Sequence, residues 1–207
     1  MRSGIGSRRR RALGAVVLAG ALIVSGCAKA DTKDGELSAQ VLKTPWTAAA
    51  TALTDTSGAS YSLAEQPSKP LTLVFFGYAK CPDICPMVMG NIASALTRIG
   101  DEVKDVDVVF VTTDPARDTE SALRRYLDRF NPGFIGLTGS LADLEEAAAS
   151  FHVVFETEKK LPSGGYDVTH GTQIFALDAA GEVGHYWSQD VSAQALAQDI
   201  SLLLEDS

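Results

Sequence analysis

Cysteine and histidine are both scarce in this chain, with three of each in 207 residues. So few thiols exclude a small disulfide-stapled fold, and a chain of this size has no need of one. At 45% hydrophobic and 21% charged residues, the composition suits one ordinary globular domain with its own core. So few histidines leave little choice for any site that requires imidazole. Positive charge is also short. Lys and Arg number 18 against 26 Asp and Glu, a net charge of −8, which excludes nucleic-acid binding through a Lys/Arg face on the phosphates. The N-terminal apolar stretch from Ala12 to Val24 falls short of the roughly 20 residues that a membrane span requires. No internal repeat is visible, so a repeat architecture is excluded as well.

What the N-terminus does have is a basic start and an apolar middle. Arg2 and the run Arg8 to Arg11 precede the apolar stretch without one acidic residue, and small Ser25 and Gly26 follow it. That order describes an export signal over residues 1–26. Val24-Ser25-Gly26-Cys27 resembles the lipobox of bacterial lipoproteins, in which the cysteine is diacylated and becomes the new N-terminus. Cys27 is therefore expected to carry lipid and hold the protein on the extracytoplasmic face of the cell membrane. Twin arginines between Ser7 and Leu13 also allow export of an already folded protein. The whole chain carries −8 and the signal holds five arginines, which leaves −13 for the remainder. Anionic lipid repels such a body, so acyl chains rather than charge must anchor it. The attraction it retains is for cations or for a basic partner face. Residues 27–44 are small and polar, with Asp31, Lys33, Asp34 and Glu36, and read as a flexible tether.

From residue 45 to 207 the pattern becomes that of a folded domain. Leu53-Thr54 and Tyr61-Ser62-Leu63 flank the turn Asp55-Thr56-Ser57-Gly58, an N-terminal β-hairpin. Leu71 to Tyr78 and Val106 to Val111 are continuous apolar runs, the mark of strands buried on both faces. Between them Met87, Met89, Ile92, Leu96 and Ile99 fall at helical spacing. Leu123, Tyr126, Leu127 and Phe130 predict a second helix with Asp118 as its N-cap. Short strands are expected at Phe134–Leu137 and Val153–Phe155, with an Ala-rich helix from Ser140 to Ser150 between them. Thr172–Leu177 and Val183–Trp187 form a hairpin around Asp178-Ala179-Ala180-Gly181, and Leu196–Leu204 is a closing helix. Strand–helix alternation ending in a hairpin and a helix is an α/β order of thioredoxin-like type; the pattern alone leaves a flavodoxin-like sheet open, and the terminal hairpin argues against an all-parallel one.

The chemistry concentrates in Phe75-Phe76-Gly77-Tyr78-Ala79-Lys80-Cys81-Pro82-Asp83-Ile84-Cys85-Pro86. The segment leaves a buried strand and enters a helix, where α/β folds place their ligands. Each cysteine precedes a proline, which biases it away from helical geometry. Pro86 suits a first helical position, making Cys85 the expected N-cap, where the helix N-terminus favours thiolate. Redox couples usually have two residues between their cysteines. The three here give a wider bite, able to hold a metal yet still to close into a disulfide. Two thiolates select a soft ion such as Cu(I) or Zn. A structural disulfide is the plain alternative, though one closing so small a ring gains little. Of the histidines, His152 and His185 sit in strand-like contexts and read as surface or packing residues. His170 lies in Tyr166-Asp167-Val168-Thr169-His170-Gly171, a loop entering an apolar strand and facing the cysteine loop in a thioredoxin-like order. Met87 and Met89 read as core filler.

These segments, together with Thr113-Asp114-Pro115-Ala116-Arg117-Asp118-Thr119 and Gly136-Leu137-Thr138-Gly139, resemble the SCO/SenC copper metallochaperones over nearly the whole stretch from Pro45 to the last helix. The resemblance implies a thioredoxin fold and copper, as Cu(I) or Cu(II), on Cys81, Cys85 and His170. It also implies a role in assembling the dinuclear copper centre of cytochrome c oxidase. The oxidase copper subunit would be the partner, with another copper donor or a thiol reductant as further partners. The alternative is an enzyme: a thiol–disulfide oxidoreductase that uses Cys81 and Cys85 to reduce the oxidase cysteines. Asp114 matches an acidic residue of the family pattern and is equally a turn residue before Pro115. Where the family often has Asp before the ligand histidine, this chain has Thr169. An acidic residue there would tune the imidazole from outside the metal's own ligands.

Overall fold

The structure, a computed structural model, describes residues 36–158 and 165–205. At its centre lies β4 (Leu71–Gly77), buried at every position. It runs parallel to β5 (Val106–Thr112), with Leu71 opposite Val106 and Gly77 opposite Thr112. β6 (Ile135–Thr138) continues the parallel set. On the other side β9 (Ile174–Asp178) runs antiparallel to β4 and forms a hairpin with β10 (Glu182–Trp187). The period-two alternation of a strand sends Leu71, Leu73 and Phe75 to one face of the sheet, and Val74 and Phe76 to the other. α1 (Ile84–Ile99), α2 (Glu120–Leu127) and α4 (Ala193–Glu205) bury their apolar faces against the first set. α3 (Leu141–Ser150) covers the second. A mixed sheet with helices on both faces and a terminal antiparallel hairpin is the thioredoxin-like α/β fold.

The expected N-terminal hairpin forms from β2 (Leu53–Asp55) and β3 (Ser60–Tyr61). Its turn is held by the Asp55 carboxylate, which accepts from the Ser57 and Ala59 amides. β2 adds to the sheet beside β6 and β1 (Gln40–Thr47) pairs with β10 at the opposite edge, so the full order is β1-β10-β9-β4-β5-β6-β2-β3.

Three local expectations are corrected. First, the tether expected over 27–44 gives way to structure before its end, because β1 (Gln40–Thr47) pairs antiparallel with β10. Ser38 and Ala39 are tied to Asp199 of α4. β1 is an edge strand whose residues are mostly exposed, so its composition resembles that of a loop; the pairing comes from β10, some 140 residues away. Second, Val153–Phe155 is not a strand. Val153 donates to the Ala148 carbonyl and His152 to Ala149, with His152 at φ +55°. This is a Schellman closure of α3 with a left-handed residue just past the helix end. The strand of that region, β7 (Glu156–Thr157), follows it and pairs with β8 (Val168–Thr169). Third, the cap of α2 is Thr119, whose hydroxyl accepts from the Ala122 amide. Asp118 is buried instead and serves the site described below.

The signal and the lipid-bearing Cys27 lie outside the described residues. No helix among those residues is long and apolar enough to cross a membrane.

Candidate metal centre

Three elements meet at the C-terminal end of the parallel strands. The loop after β4 carries Cys81, the first turn of α1 carries Cys85, and the residue after β8 is His170. Their ligand atoms lie within 4.8 Å of one another, the one such His/Cys/carboxylate cluster among the described residues. Cys85 is fully buried, whereas Cys81 and His170 are half-buried and meet solvent. Neither sulfur is in a disulfide.

α1 begins two residues earlier than expected. Ile84 is its first residue, so Cys85 stands inside the first turn rather than capping it, and Pro86 follows there. The helix tolerates Pro86 because the first amides of a helix have no intrahelical partner to lose. Asp83, at the cap position, makes no side-chain cap bond. The Sγ of Cys81 takes that role, accepting from the Cys85 amide at 3.3 Å. The helix N-terminus therefore acts on Cys81, not on Cys85. The two thiols are driven apart. A hydrogen bond from the Cys85 thiol, with the Cys85 amide beside it, holds Cys81 well below the ordinary thiol range despite partial burial. Cys85, which donates to Cys81 and is buried, is pushed up.

A depressed value means that the thiolate persists as pH falls, and is lost only near the lower folded-state pKa. We expect iodoacetamide to modify Cys81 before Cys85. The Cys81 rate should stay nearly flat from pH 8 to pH 5, where a free thiol of pKa about 8.5 slows roughly tenfold per unit. Peptide mapping of the alkylated protein checks this, and equal labelling of both cysteines would refute it.

His170 is oriented by its own neighbour. Its Nδ1 lies 2.7 Å from the Gly171 carbonyl oxygen, to which it can only donate. The other nitrogen, Nε2, is then the lone-pair atom, and it lies 3.5 Å from Cys85 Sγ. Phe75 and Tyr78 stand edge-on to the ring, at centroid distances of 6.1 and 5.8 Å. Three donors around one soft ion, with bonds of about 2.0–2.3 Å, would stand about 4 Å apart, which this cluster approaches without rearranging the fold. Two sulfurs and one imidazole suit copper better than a hard ion such as Mg or Ca. Gly77 makes room for the buried sulfur: a Cβ there would lie 2.9 Å from Cys85 Sγ and 2.9 Å from the Phe75 ring.

The sequence reading singled out Asp118 as a cap and Asp114 as a family-pattern acid, but not the contacts through which they and Arg117 and Tyr166 support the site. Asp118, buried, accepts from the Ala79 amide at 2.9 Å and the Thr112 hydroxyl at 2.8 Å, fastening the cysteine loop to the end of β5. Asp114 is more than a turn residue. It is buried, pairs with Arg117, and accepts from the Tyr166 hydroxyl at 2.8 Å. Arg117 donates to the Tyr166 carbonyl and lies 3.7 Å from the Tyr166 ring centre. The triad thus ties the loop leading to His170 to the loop after β5. Sequence offers no signal for such a pairing, since it joins residues some fifty positions apart. Thr169 is exposed, and its hydroxyl donates to the Glu158 carboxylate, across from its β7 neighbours rather than at the imidazole. Of the other histidines, His152 packs tilted against Trp46 with ring centroids 4.3 Å apart and His185 stands half-buried in β10, both away from the centre.

Residues 42–205 match the family model SCO1/SenC. Among curated proteins, protein sco1 of Schizosaccharomyces pombe is 33% identical over 132 residues, covering 62% of this chain and 50% of that protein. The matched stretch thus spans about half the length of such relatives. Among solved structures, ScoI of Bradyrhizobium japonicum with copper bound is 28% identical with a TM-score of 0.66, covering 76% of this chain and 96% of that one. Apo Sco1 of Thermus thermophilus is likewise 28% identical, with a TM-score of 0.71, covering 83% and 98%.

Proposed function

We propose that this chain, which belongs to the SCO1/SenC family, is a copper carrier that holds the ion on Cys81, Cys85 and His170 and delivers it to the copper subunit of cytochrome c oxidase during assembly. One observation carries the reading. His170 Nε2, left as the lone-pair nitrogen by the Nδ1–Gly171 contact, faces the two sulfurs at ligand spacing. Support comes also from a relative of the same fold whose structure contains copper. The half-exposed Cys81 is the ligand that an incoming donor atom can replace first, while buried Cys85 stays attached. Transfer by stepwise ligand exchange follows from that asymmetry. Thiol–disulfide exchange, the alternative raised by the sequence, uses the same sulfurs but leaves the oriented imidazole without a part.

Anaerobic titration with copper tests the reading. One equivalent is expected to bind, with thiolate-to-copper absorption that saturates at a 1:1 ratio. Binding that no thiolate absorption accompanies would sink it. We place the protein on the extracytoplasmic face of a bacterial membrane, anchored through lipid on Cys27, on the strength of the N-terminal signal pattern. Cys27→Ala is expected to move the protein from the membrane pellet to the soluble fraction. Unchanged partitioning would remove the anchor from the account.

A further inference from the structure

The acidic bulk charge conceals a basic cleft beside the metal centre. Ala122, Arg125, Tyr126 and Arg129 follow at helical spacing along α2 and the turn after it. Opposite stand Ala79 and Lys80 of the cysteine loop, with Arg117 and Asp118 completing a cleft of about 280 Å³. Four cations thus converge in a chain whose 18 Lys and Arg are outnumbered by 26 Asp and Glu. Not all four are equally available. Arg117 is engaged by Asp114, and Arg129 lies against the Tyr126 ring at 4.7 Å. Asp118 is buried, with one carboxylate oxygen occupied by the Ala79 amide and the Thr112 hydroxyl. Lys80, Arg125 and Arg129 are exposed and form no ion pair among the described residues. On the other flank, Asp83 and Asp167 border Cys81 and His170. The metal centre therefore lies between a cationic cleft and an acidic rim.

We propose that this cleft docks an acidic polypeptide segment of the protein that takes the metal, and so sets that partner's donor atoms beside Cys81. The inference rests on the copper-carrier reading and deepens it. Charge complementarity commits the occupant. Exposed cations spread along a helix face and an opposing loop suit a chain of carboxylates; a compact anion would need convergent buried donors. Lys80 directly precedes Cys81, so a segment held on it lies next to the exposed sulfur. Rim charges of this kind act mainly on encounter rate and orientation, and over about 10 Å at 0.1 M salt.

The test uses the full chain in detergent, copper-loaded, with two charge-reversed variants. Arg125→Glu with Arg129→Glu alters the cleft. Arg98→Glu with Lys104→Glu makes the same charge change near the far end of α1, on exposed residues. Copper transfer to the isolated copper-binding domain of the oxidase subunit is timed at low and high salt. In parallel, hexaglutamate peptide and inorganic phosphate are titrated into the wild-type chain and followed by NMR. We expect the cleft variant to transfer about tenfold more slowly than wild type at low salt, with the gap closing near 0.5 M salt, and the control to stay within twofold of wild type. The peptide should shift the amides of Lys80, Arg125 and Arg129, and phosphate should not. A cleft variant no slower than the control, or phosphate shifts equal to the peptide's, overturns the proposal. Wild-type protein that releases no copper to that domain, while the peptide still maps to the cleft, would refute copper delivery and support the docking surface. A peptide that perturbs no cleft residue overturns the docking surface, whatever the transfer rate.

Discussion

His170→Ala is expected to lower Cu(II) affinity by more than about 100-fold and to abolish the thiolate-to-copper absorption pattern of the wild-type protein. Disturbing the outer partner of a metal-bound histidine typically costs 10–100-fold in affinity, so removing the ligand itself should cost at least the upper figure. Cu(I) affinity should fall less, because two soft thiolates alone satisfy much of its demand. The substitution should not act through unfolding. The ring is half-buried, and its contacts are the edges of Phe75 and Tyr78, the sulfur and one carbonyl. Competition titrations against chelators of known affinity give the two constants, and a thermal melt of the apo protein controls for the fold. Exchange between Cys81 and Cys85 and a small disulfide should continue, since neither sulfur is removed. If the variant bound Cu(I) and Cu(II) like wild type, the proposed ligand set would be wrong.

The second large effect concerns the fold rather than the site. Asp199→Ala should destabilise the domain by about 3 kcal/mol or more, lowering Tm by roughly 6–12 °C for a chain of this size. The Asp199 carboxylate, 1% exposed, accepts from four donors: the Ser38 amide and hydroxyl, the Ala39 amide at 3.0 Å and the Trp187 indole at 2.7 Å. Alanine would leave the Ala39 amide and the indole in buried surroundings without an acceptor, each at a cost of about 1–3 kcal/mol. It would also release the segment entering the edge strand β1. Asp199→Asn, which keeps acceptor oxygen but loses charge, should fall between the two. Denaturant unfolding followed by Trp fluorescence measures the loss. Copper stoichiometry at low temperature should remain one, because none of the four donors belongs to the metal centre. A Tm within 2 °C of wild type would show that water replaces the lost acceptor.

How far the sequence was legible varies with the range over which each feature is decided. β4 and β5 were evident because strands buried on both faces must be apolar throughout, a property written into consecutive residues. The helices were evident from their spacing and the closing hairpin from its turn. The errors sit where a local pattern was overruled by a distant partner. β1 reads as tether because an edge strand needs only one neighbour, and that neighbour is β10. Val153 looked like a strand residue, yet its amide was needed to close α3. Cys85 looked like a cap because Pro86 suits the start of a helix, but the sulfur of Cys81 supplies the cap and lets α1 begin earlier.

By itself the sequence determined an acidic α/β domain, two cysteines with three residues between them at the mouth of a strand–helix turn, and one histidine in a loop able to face them. Residue types and spacings settle these things because they act over a few positions of chain. Only the tertiary structure decided which thiol is the more acidic, which imidazole nitrogen is free, and that Asp114, Arg117 and Tyr166 bind the two loops together. It also gathered a few scattered cations into one cleft in a chain of opposite net charge. These outcomes depend on distances between atoms far apart along the chain. Such distances exist only once the sheet has aligned β4, β5 and β9 and brought their loops to a common edge.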